Sequence, residues 1–230
     1  MTDLLFSAPK VPLIPVQGGG LFPVRRIFCV GRNYADHARE MGAEIDREAP
    51  FYFTKSPAAV TLSGATIPYA AGTQELHHEM ELIVALGAPA FRIGPHAAMA
   101  AVFGYACGLD MTRRDLQAQA KDKRRPWDTG KDFDDSAIVA PITPAAAFGT
   151  VGPQRIRLSV NGAPRQAAHL ADMVWTVPEI VAHLSTLYRL QRGDLIFTGT
   201  PAGVGAVVPG DRIQGEIDGL MPVELTIGAD

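Results

Sequence analysis

The amino-acid sequence predicts an α+β fold, and three features support this class. Segments with the apolar pattern of strands outnumber the helical ones. These strands do not alternate regularly with helices, as they would in a doubly wound parallel sheet. Glycine (23 residues) and proline (18 residues) are frequent in a chain of 230 residues, which favours many turns and short strands over a helical bundle.

The first half of the chain starts with a predicted extended arm over residues 1–24, because its prolines oppose a helix and its three consecutive glycines form a flexible joint. The elements predicted next are a strand at Arg26–Val30, a short helix at Asn33–Met41, strands at Pro50–Lys55 and Glu79–Leu86, a small-residue helix near Pro95–Val102, a strand at Phe103–Asp110 and a polar helix at Thr112–Lys121. The chain is then expected to be irregular and charged through Ser136.

The second half carries two stronger local signals. Asn161-Gly162 predicts a tight hairpin, and Pro178 occupies the favoured first turn of a helix. The predicted elements are the hairpin strands Arg155–Val160 and Arg165–His169, the helix Val177–Leu190, and strands at Asp194–Thr198, Arg212–Asp218 and Met221–Ile227. No shift in composition divides residues 25–230, so a single catalytic domain is predicted after the arm.

Charge and hydropathy exclude several classes of partner. The formal net charge of −3 argues against a nucleic-acid partner, which usually needs a basic surface. No stretch approaches the roughly 20 apolar residues that cross a bilayer, and the N-terminal residues do not resemble a secretory leader. The sequence therefore predicts a soluble cytoplasmic protein without a membrane partner.

Acidic side chains in an apolar strand suggest a metal site. Glu79 and Glu81 alternate with apolar residues and should share one strand face with His77. Two such carboxylates repel each other, and a divalent cation between them removes that cost. Asp110, at the end of another apolar strand, is the candidate third ligand. Three carboxylates suit Mg²⁺ or Mn²⁺ better than zinc. The alternatives are a solvated edge strand for the glutamates and a helix N-cap for the aspartate.

A histidine–glutamate pair is the candidate general base. His37 and Glu40 are three residues apart in a predicted helix and therefore lie within reach of each other. A carboxylate that accepts one imidazole N–H leaves the other nitrogen able to take a proton from water. The helix lies between Gly31 and Gly42 and could act as a lid. The alternative is an ordinary surface pair.

Basic residues are concentrated after Asp110, and a solvated helix face would account for most of them. A minority could bind substrate carboxylates or a developing oxyanion, and Lys131, which follows Gly130, is the most attractive. The glycine-rich segment Thr198–Gly205 has the backbone freedom to approach a ligand but lacks a phosphate-loop signature.

Five segments stand in a fixed order: Val30–His37, His77–Leu82, Leu109–Asp115, Pro126–Lys131 and Thr198–Val204. Together they resemble the fumarylacetoacetate hydrolase family, especially its short acylpyruvase branch. The resemblance covers the chain from about Val24 to Ile227. It implies a mixed sheet rolled into a flattened barrel with peripheral helices, usually in a homodimer, and a role in aromatic catabolism.

The resemblance also implies roles for individual residues. Larger family members have a fourth metal carboxylate where this chain has Val30, so this chain follows the short branch. By the family pattern the metal ligands are Glu79, Glu81 and Asp110, the catalytic dyad is His37 and Glu40, the residues that line the active site or its oxyanion hole are Arg114, Gln117 and Lys131, and the loop threonine at the keto acid end is Thr200.

The implied activity is metal-dependent hydrolysis of the carbon–carbon bond of an acylpyruvate such as fumarylpyruvate, a small 2-keto acid. Arg32, Arg124 and Arg125 are candidates for the second carboxylate of such a substrate. Two alternatives stay open at the level of the sequence. One is oxaloacetate decarboxylation or keto–enol isomerisation on the same scaffold, and the other is a non-catalytic metal- or ligand-binding module.

Overall fold

The computed structural model describes residues 4–40, 42 and 47–229, most of which lie in or between short strands. The strands are β1 (Leu13–Pro15), β2 (Leu21–Pro23), β3 (Arg26–Gly31), β4 (Phe51–Lys55), β5 (Val60–Leu62), β6 (Ala65–Ile67), β7 (Leu76–His78), β8 (Met80–Leu86), β9 (Val102–Asp110), β10 (Thr112–Arg113), β11 (Ala137–Val139), β12 (Thr143–Pro144), β13 (Arg155–Val160), β14 (Ala163–His169), β15 (Asp194–Phe197), β16 (Gly205–Ala206), β17 (Arg212–Ile217) and β18 (Val223–Ile227). The helices are α1 (Ala35–Glu40), α2 (Pro95–Ala98), α3 (Arg114–Asp122), α4 (Asp128–Lys131), α5 (Ala145–Phe148) and α6 (Val177–Leu187), with 3₁₀ turns at Pro57–Ala59, Met99–Ala101 and Leu170–Asp172.

A large mixed sheet forms the centre of the molecule and curls into a half-barrel. Its strand order is β4-β3-β15-β8-β9-β11-β5, and β12 also pairs with β9. The β3–β15 and β5–β11 pairs are parallel and the others are antiparallel. A second sheet has the order β14-β13-β17-β18-β6. This architecture confirms the predicted α+β class and the rolled mixed sheet.

The central strand β8 is buried on both faces. Leu82 and Val84 point into a core shared with the second sheet and helix α6. Ile83 and Ala85 point into a smaller core on the opposite side. Because neighbouring side chains of a strand face opposite ways, a continuous apolar run is what a strand covered on both sides requires.

The region predicted as an extended arm contains a short hairpin. Strands β1 and β2 pair in register around the turn at Gly18–Gly20. Ile14 and Phe22 of this hairpin pack into the smaller core, so the hairpin covers one face of the central sheet. The division of the chain at residue 24 stays a prediction.

Several predicted elements are confirmed, and a few boundaries were wrong. The Asn161-Gly162 hairpin is present, and both residues have the positive φ that its turn needs (52° and 77°). The helix predicted to reach Leu190 ends at Leu187, because Leu190 exchanges backbone hydrogen bonds with Ala90. The predicted strand Glu79–Leu86 starts at Met80.

Some short elements were missed by the sequence analysis. They include β5, β6, β11, β12, β16, α4 and α5, and also β10, whose residues were predicted as the start of a helix. The end of the predicted helix Asn33–Met41 lies outside the described residues, since α1 is described only to Glu40. None of the described helices is both long enough and apolar enough to cross a bilayer.

Candidate active site

Three buried carboxylates converge where β8 and β9 lie side by side. Glu79 precedes β8, Glu81 lies within it, and Asp110 is the last residue of β9. The antiparallel register pairs Met80 with Leu109, and the amide of Asp110 donates to the carbonyl oxygen of Glu79 at 2.9 Å. One oxygen from each carboxylate lies within 4.8 Å of the others. The register of two neighbouring strands therefore builds the predicted acidic trio.

Two lysines and an arginine surround these carboxylates. Lys131 Nζ donates to Glu79 Oε2 (2.7 Å), to Asp110 Oδ2 (2.8 Å) and to the hydroxyl of Thr112 (2.7 Å). Its three donors are therefore all used. Arg114 donates to the second oxygen of Glu79. Glu79 is thus held by two cations, and Lys131 links it to Asp110.

Lys55 completes the group from the other side of Asp110. Its ammonium lies 2.9 Å from Asp110 Oδ1, but its hydrogen bonds go to the backbone carbonyls of Met111 and Lys131. Asp110 Oδ1 is buried, and its contact with Lys55 is an ion pair without the geometry of a hydrogen bond. A metal ion that binds this oxygen would therefore have to take the place of the Lys55 ammonium or share the oxygen with it.

The charges on the two glutamates differ because their neighbours differ. Burial opposes the ionised form of Glu79, yet Lys131 and Arg114 outweigh it and hold the pKa of that carboxyl well below its usual range. Burial, and then the negative charges of Asp110 and Glu79, raise the pKa of Glu81 well above its usual range. Glu81 accepts one hydrogen bond, from the amide of Gly199 at 2.7 Å. A dication beside the trio would favour its ionised form. The donor set therefore fits Mg²⁺ or Mn²⁺.

The predicted base pair opens onto the same region. His37 Nδ1 lies 3.2 Å from Glu40 Oε2, and the amide of Gly203 donates to Glu40 at 3.1 Å. Because a carboxylate only accepts, Nδ1 carries the proton and Nε2 is left with a lone pair. Burial lowers the pKa of His37, and the charge of Glu79 and the hydrogen bond that His37 donates to Glu40 oppose this only in part. The imidazole is therefore neutral near pH 7 and able to accept a proton.

One cleft brings most of the predicted site residues together. Its lining includes Arg32, His37, Glu79, Glu81, Arg114, Gln117, Lys131 and Thr200. Asp110 and Glu40 do not line the cleft themselves. Asp110 is bonded to the lining residue Lys131, and Glu40 is bonded to the lining residue His37. All ten residues thus belong to one connected group.

Several lining side chains are already engaged by the protein. Arg114 also donates to Gln117 Oε1 at 2.7 Å, so the guanidinium holds a carboxylate and an amide in place. The amide nitrogen of Gln117 donates to no other described residue. The hydroxyl of Thr200 donates to the carbonyl of Met80 and accepts from Gln166, both at 2.8 Å. Arg114 and Thr200 therefore act first as supports of the site.

The glycine-rich loop approaches the trio through its backbone. Gly199 has a φ of +95°, and a Cβ there would lie 2.7 Å from the Cβ of Asn33. Asn33 donates to the carbonyl of Thr198 at 2.8 Å and to that of Trp175 at 3.0 Å. This backbone conformation lets the Gly199 amide donate to Glu81, and only glycine fits at position 199.

Four side chains at the site were not singled out from the sequence, although Lys121 belongs to the basic segment after Asp110 that was expected to supply substrate contacts. Lys55, Phe53, Lys121 and Trp127 contact the trio or line the cleft. A signal existed for Lys121, because it lies on the same face of α3 as Gln117. The position of Lys55 depends on the pairing of β3 with β4, which the sequence does not show. Arg124 and Arg125 do not line the cleft.

The chain belongs to the fumarylacetoacetate hydrolase family, because a family model described as "Fumarylacetoacetate (FAA) hydrolase C-terminal" matches residues 26–228. A fumarylpyruvate hydrolase of Ralstonia sp. is 50% identical over 190 residues, which are 82% of this chain and 98% of that protein. A mitochondrial oxaloacetate tautomerase of Rattus norvegicus is 40% identical over 203 residues, 88% of this chain and 91% of that protein. The crystal structure of fumarylpyruvate hydrolase from Pseudomonas aeruginosa with Mn²⁺ and pyruvate is similar with a TM-score of 0.95 and 43% identity, covering 99% of this chain and all of the other.

Proposed function

We propose that this chain is a divalent-metal-dependent hydrolase that cleaves a carbon–carbon bond of an acylpyruvate, converting fumarylpyruvate to fumarate and pyruvate. Its similarity to the Ralstonia hydrolase, at 50% identity, supports this substrate. So does its similarity to the Pseudomonas structure that contains Mn²⁺ and pyruvate. The observation that carries the proposal is a buried acidic trio and a histidine–glutamate base that lie around one cleft.

The metal would be held by Glu79, Glu81 and Asp110. The trio is buried, and one oxygen from each carboxylate lies within 4.8 Å of the others. Bound Mg²⁺ or Mn²⁺ would act as a Lewis acid toward the 2-keto acid end of the substrate. Thr200 lies at the wall of the cleft where that end would be positioned.

The base would be His37, oriented by Glu40. With Nδ1 directed to Glu40, the Nε2 lone pair can take a proton from a water molecule that attacks the distal carbonyl carbon. The water oxygen is retained in the fumarate product. The carbon–carbon bond then breaks and its electron pair passes to the pyruvate methylene carbon, which takes up the proton held by His37. The step needs no other reactant than water.

Gln117 would donate a hydrogen bond to the oxyanion formed during this attack, and Lys131, whose three N–H groups already have partners, would stabilise it through its positive charge. Both line the cleft, and the amide nitrogen of Gln117 has no partner among the described residues. Arg114 fixes Gln117 and Glu79 at once and so holds the oxyanion donor near the trio. Hydrogen-bond donors fixed in a buried site are worth about 10²–10³ in rate each.

The test is turnover of fumarylpyruvate, acetylpyruvate and oxaloacetate, followed spectrophotometrically with Mg²⁺ or Mn²⁺ and again with chelator. We expect hydrolysis of fumarylpyruvate that the chelator abolishes. Glu81→Ala and His37→Ala should each lose this activity while keeping the folded circular dichroism spectrum. Glu224→Ala, an exposed carboxylate on β18, is the control. Full activity in either site variant would refute the assigned roles.

A second candidate is keto–enol tautomerisation or decarboxylation of oxaloacetate. The rat tautomerase, 40% identical, favours it. Neither reaction needs an attacking water, so His37→Ala should impair hydrolysis far more than these activities. A non-catalytic binding module would bind Mn²⁺ and turn over none of the three compounds.

The remaining attributes stay predictions for this chain. They are assembly as a homodimer, a cytoplasmic location, a role in aromatic catabolism, and a single catalytic domain over residues 25–230. Light scattering of the purified protein measures the first directly.

A further inference from the structure

The cations of the cleft fall into two groups according to their partners. Arg114 and Lys131 are buried and form ion pairs with the acidic trio. Lys121 and Arg32 also line the cleft, but no described carboxylate forms an ion pair with either. Positive charge without an anion therefore remains on one side of the cleft.

Lys121 and Arg32 differ in their surroundings at the cleft. Lys121 is half-buried, and its ammonium lies 5.0 Å from the ring centroid of Trp127, which also lines the cleft. Arg32 adopts a φ of +59°, a left-handed conformation that is uncommon for residues other than glycine. Burial, and then the like charges of Arg114 and Arg32, lower the pKa of Lys121 to about 8. A bound anion would relieve that repulsion.

Helix α3 sets the spacing between the trio and Lys121. Arg114, Gln117 and Lys121 lie on one face of the helix, three and four residues apart. At about 1.5 Å of rise per residue, Lys121 is about 10 Å along the helix from Arg114, which contacts Glu79. Fumarylpyruvate has six carbon–carbon bonds of about 1.5 Å, so its extended chain spans about 7–8 Å between the terminal carbons. A substrate with its keto acid end at the trio would bring its other end to the level of Lys121.

We propose that Lys121, assisted by Arg32, binds the distal carboxylate of the substrate and selects acyl groups that end in a carboxylate. This inference rests on the proposed function, because it assumes that the keto acid end lies at Glu79, Glu81 and Asp110. Arg124 and Arg125 do not take this role. Neither lines the cleft that contains the trio, whereas Lys121 and Arg32 do. Arg125 lies with Leu116 and Gln119 on one surface and reaches a neighbouring hollow beside Trp127.

The experiment compares fumarylpyruvate with acetylpyruvate, which lacks the distal carboxylate. In Lys121→Met, we expect kcat/KM for fumarylpyruvate to fall about 10- to 100-fold, the range for one charge-assisted hydrogen bond. The loss should appear mainly as a higher KM, since the contact is made equally before and during the reaction. Acetylpyruvate turnover should change less than about threefold, because it makes no such contact. Lys121→Arg should restore most of the fumarylpyruvate activity.

Lys123→Met is the matched control, because Lys123 is exposed at the end of the same helix and does not line the cleft. It should leave both activities unchanged. Equal losses for the two substrates in Lys121→Met, or no loss at all, would overturn the inference while leaving the proposed hydrolysis intact.

Binding of fumarate to the Mn²⁺-loaded protein, measured by calorimetry, separates this inference from the proposed function. We expect its Kd to rise about 10- to 100-fold in Lys121→Met and to stay constant in Lys123→Met. If the wild-type chain cleaves neither compound but fumarate binding still depends on Lys121, the hydrolase proposal fails and the carboxylate site stands. An unchanged fumarate Kd in Lys121→Met would overturn the site.

Discussion

Replacing Glu81 with glutamine should stabilise the metal-free protein while it weakens metal binding. Glu81 is buried within 4.8 Å of Glu79 and Asp110, and it forms no ion pair with a described cation. The amide of glutamine removes the negative charge, and its oxygen can still accept from Gly199, as Glu81 does at 2.7 Å. The new NH₂ group can donate to a neighbouring carboxylate.

The magnitude follows from Coulomb's law. Two unit charges 4.8 Å apart repel by about 3 kcal/mol at an effective dielectric constant of 20. Glu81 escapes part of this repulsion by keeping its proton, and Lys131 offsets another part. We therefore expect Glu81→Gln to stabilise the metal-free fold by about 1–3 kcal/mol. In a chain of this size that gain corresponds to a Tm higher by about 2–10 °C.

The stability difference between Glu81→Gln and the wild type should depend on pH. The pKa of Glu81 is higher in the folded protein than in the unfolded chain. Its protonated form therefore contributes fully to the stability of the fold below the unfolded-state pKa, and this contribution is lost as the pH rises toward the folded-state pKa. Glutamine does not titrate. The advantage of Glu81→Gln over the wild type should therefore grow as the pH rises above the unfolded-state pKa of a glutamate toward the raised pKa of the folded state.

The assay is thermal unfolding of chelator-treated protein, repeated with added Mn²⁺. A ligand present at 100 times its Kd stabilises the native state by about 2.7 kcal/mol. The wild type should gain stability in this way, and Glu81→Gln should gain much less. Glu224→Gln, which changes an exposed carboxylate, is the control and should behave as the wild type. A metal-free Glu81→Gln that is less stable than the wild type, or that keeps the full response to Mn²⁺, would refute the reasoning.

Two further variants test how the base and the loop are positioned. Glu40→Gln should lower activity about 10- to 100-fold, and it should move the acid limb of the pH–rate profile to lower pH, because the hydrogen bond and charge of Glu40 raise the pKa of His37. Asn33→Ala should lower the free energy of unfolding by about 3–5 kcal/mol, seen as a lower Tm, because the buried Asn33 side chain donates to the carbonyls of Thr198 and Trp175 and accepts from the Trp175 amide, and all three bonds are lost.

Asp36→Asn is the control for the base, since Asp36 lies on the same helix and forms an exposed pair with Arg39. It should leave the pH profile unchanged. An acid limb that moves to higher pH in Glu40→Gln would contradict the proposed role of the carboxylate. For Asn33→Ala, an unchanged Tm would show that the loop is held by other contacts.

Local patterns predicted most of the long elements. The strand β9 and the β13–β14 hairpin each carry their signal within a few consecutive residues: an apolar run in one, an Asn-Gly turn in the other. The strands β5 and β11 are three residues long and pair with each other across more than seventy residues. Nothing in either segment indicates its partner, so sequence patterns could not find them.

The parts of the candidate site that could be predicted are those whose residues lie close together in the sequence. Glu79 and Glu81 lie in one segment, and the spacing of His37 and Glu40 sets their contact. The contribution of Lys55 could not be predicted, because it depends on where strand β4 pairs. The single turn of α4 was missed for a similar reason. It contains Gly130, where a Cβ would lie 2.9 Å from the amide nitrogen of Gln117, so tertiary packing selects the residue.

Burial and pairing together divide the cations of the cleft by role. A buried ammonium or guanidinium without a partner costs several kcal/mol, so Lys131 and Arg114 can be buried only because carboxylates balance them. These side chains are therefore fixed, and they position the groups that react. Lys121 is only half-buried and keeps part of its hydration, so it tolerates the lack of a carboxylate partner among the described residues. A substrate carboxylate can therefore gain affinity at Lys121 without breaking an existing ion pair, whereas a contact to Lys131 must compete with Glu79 and Asp110.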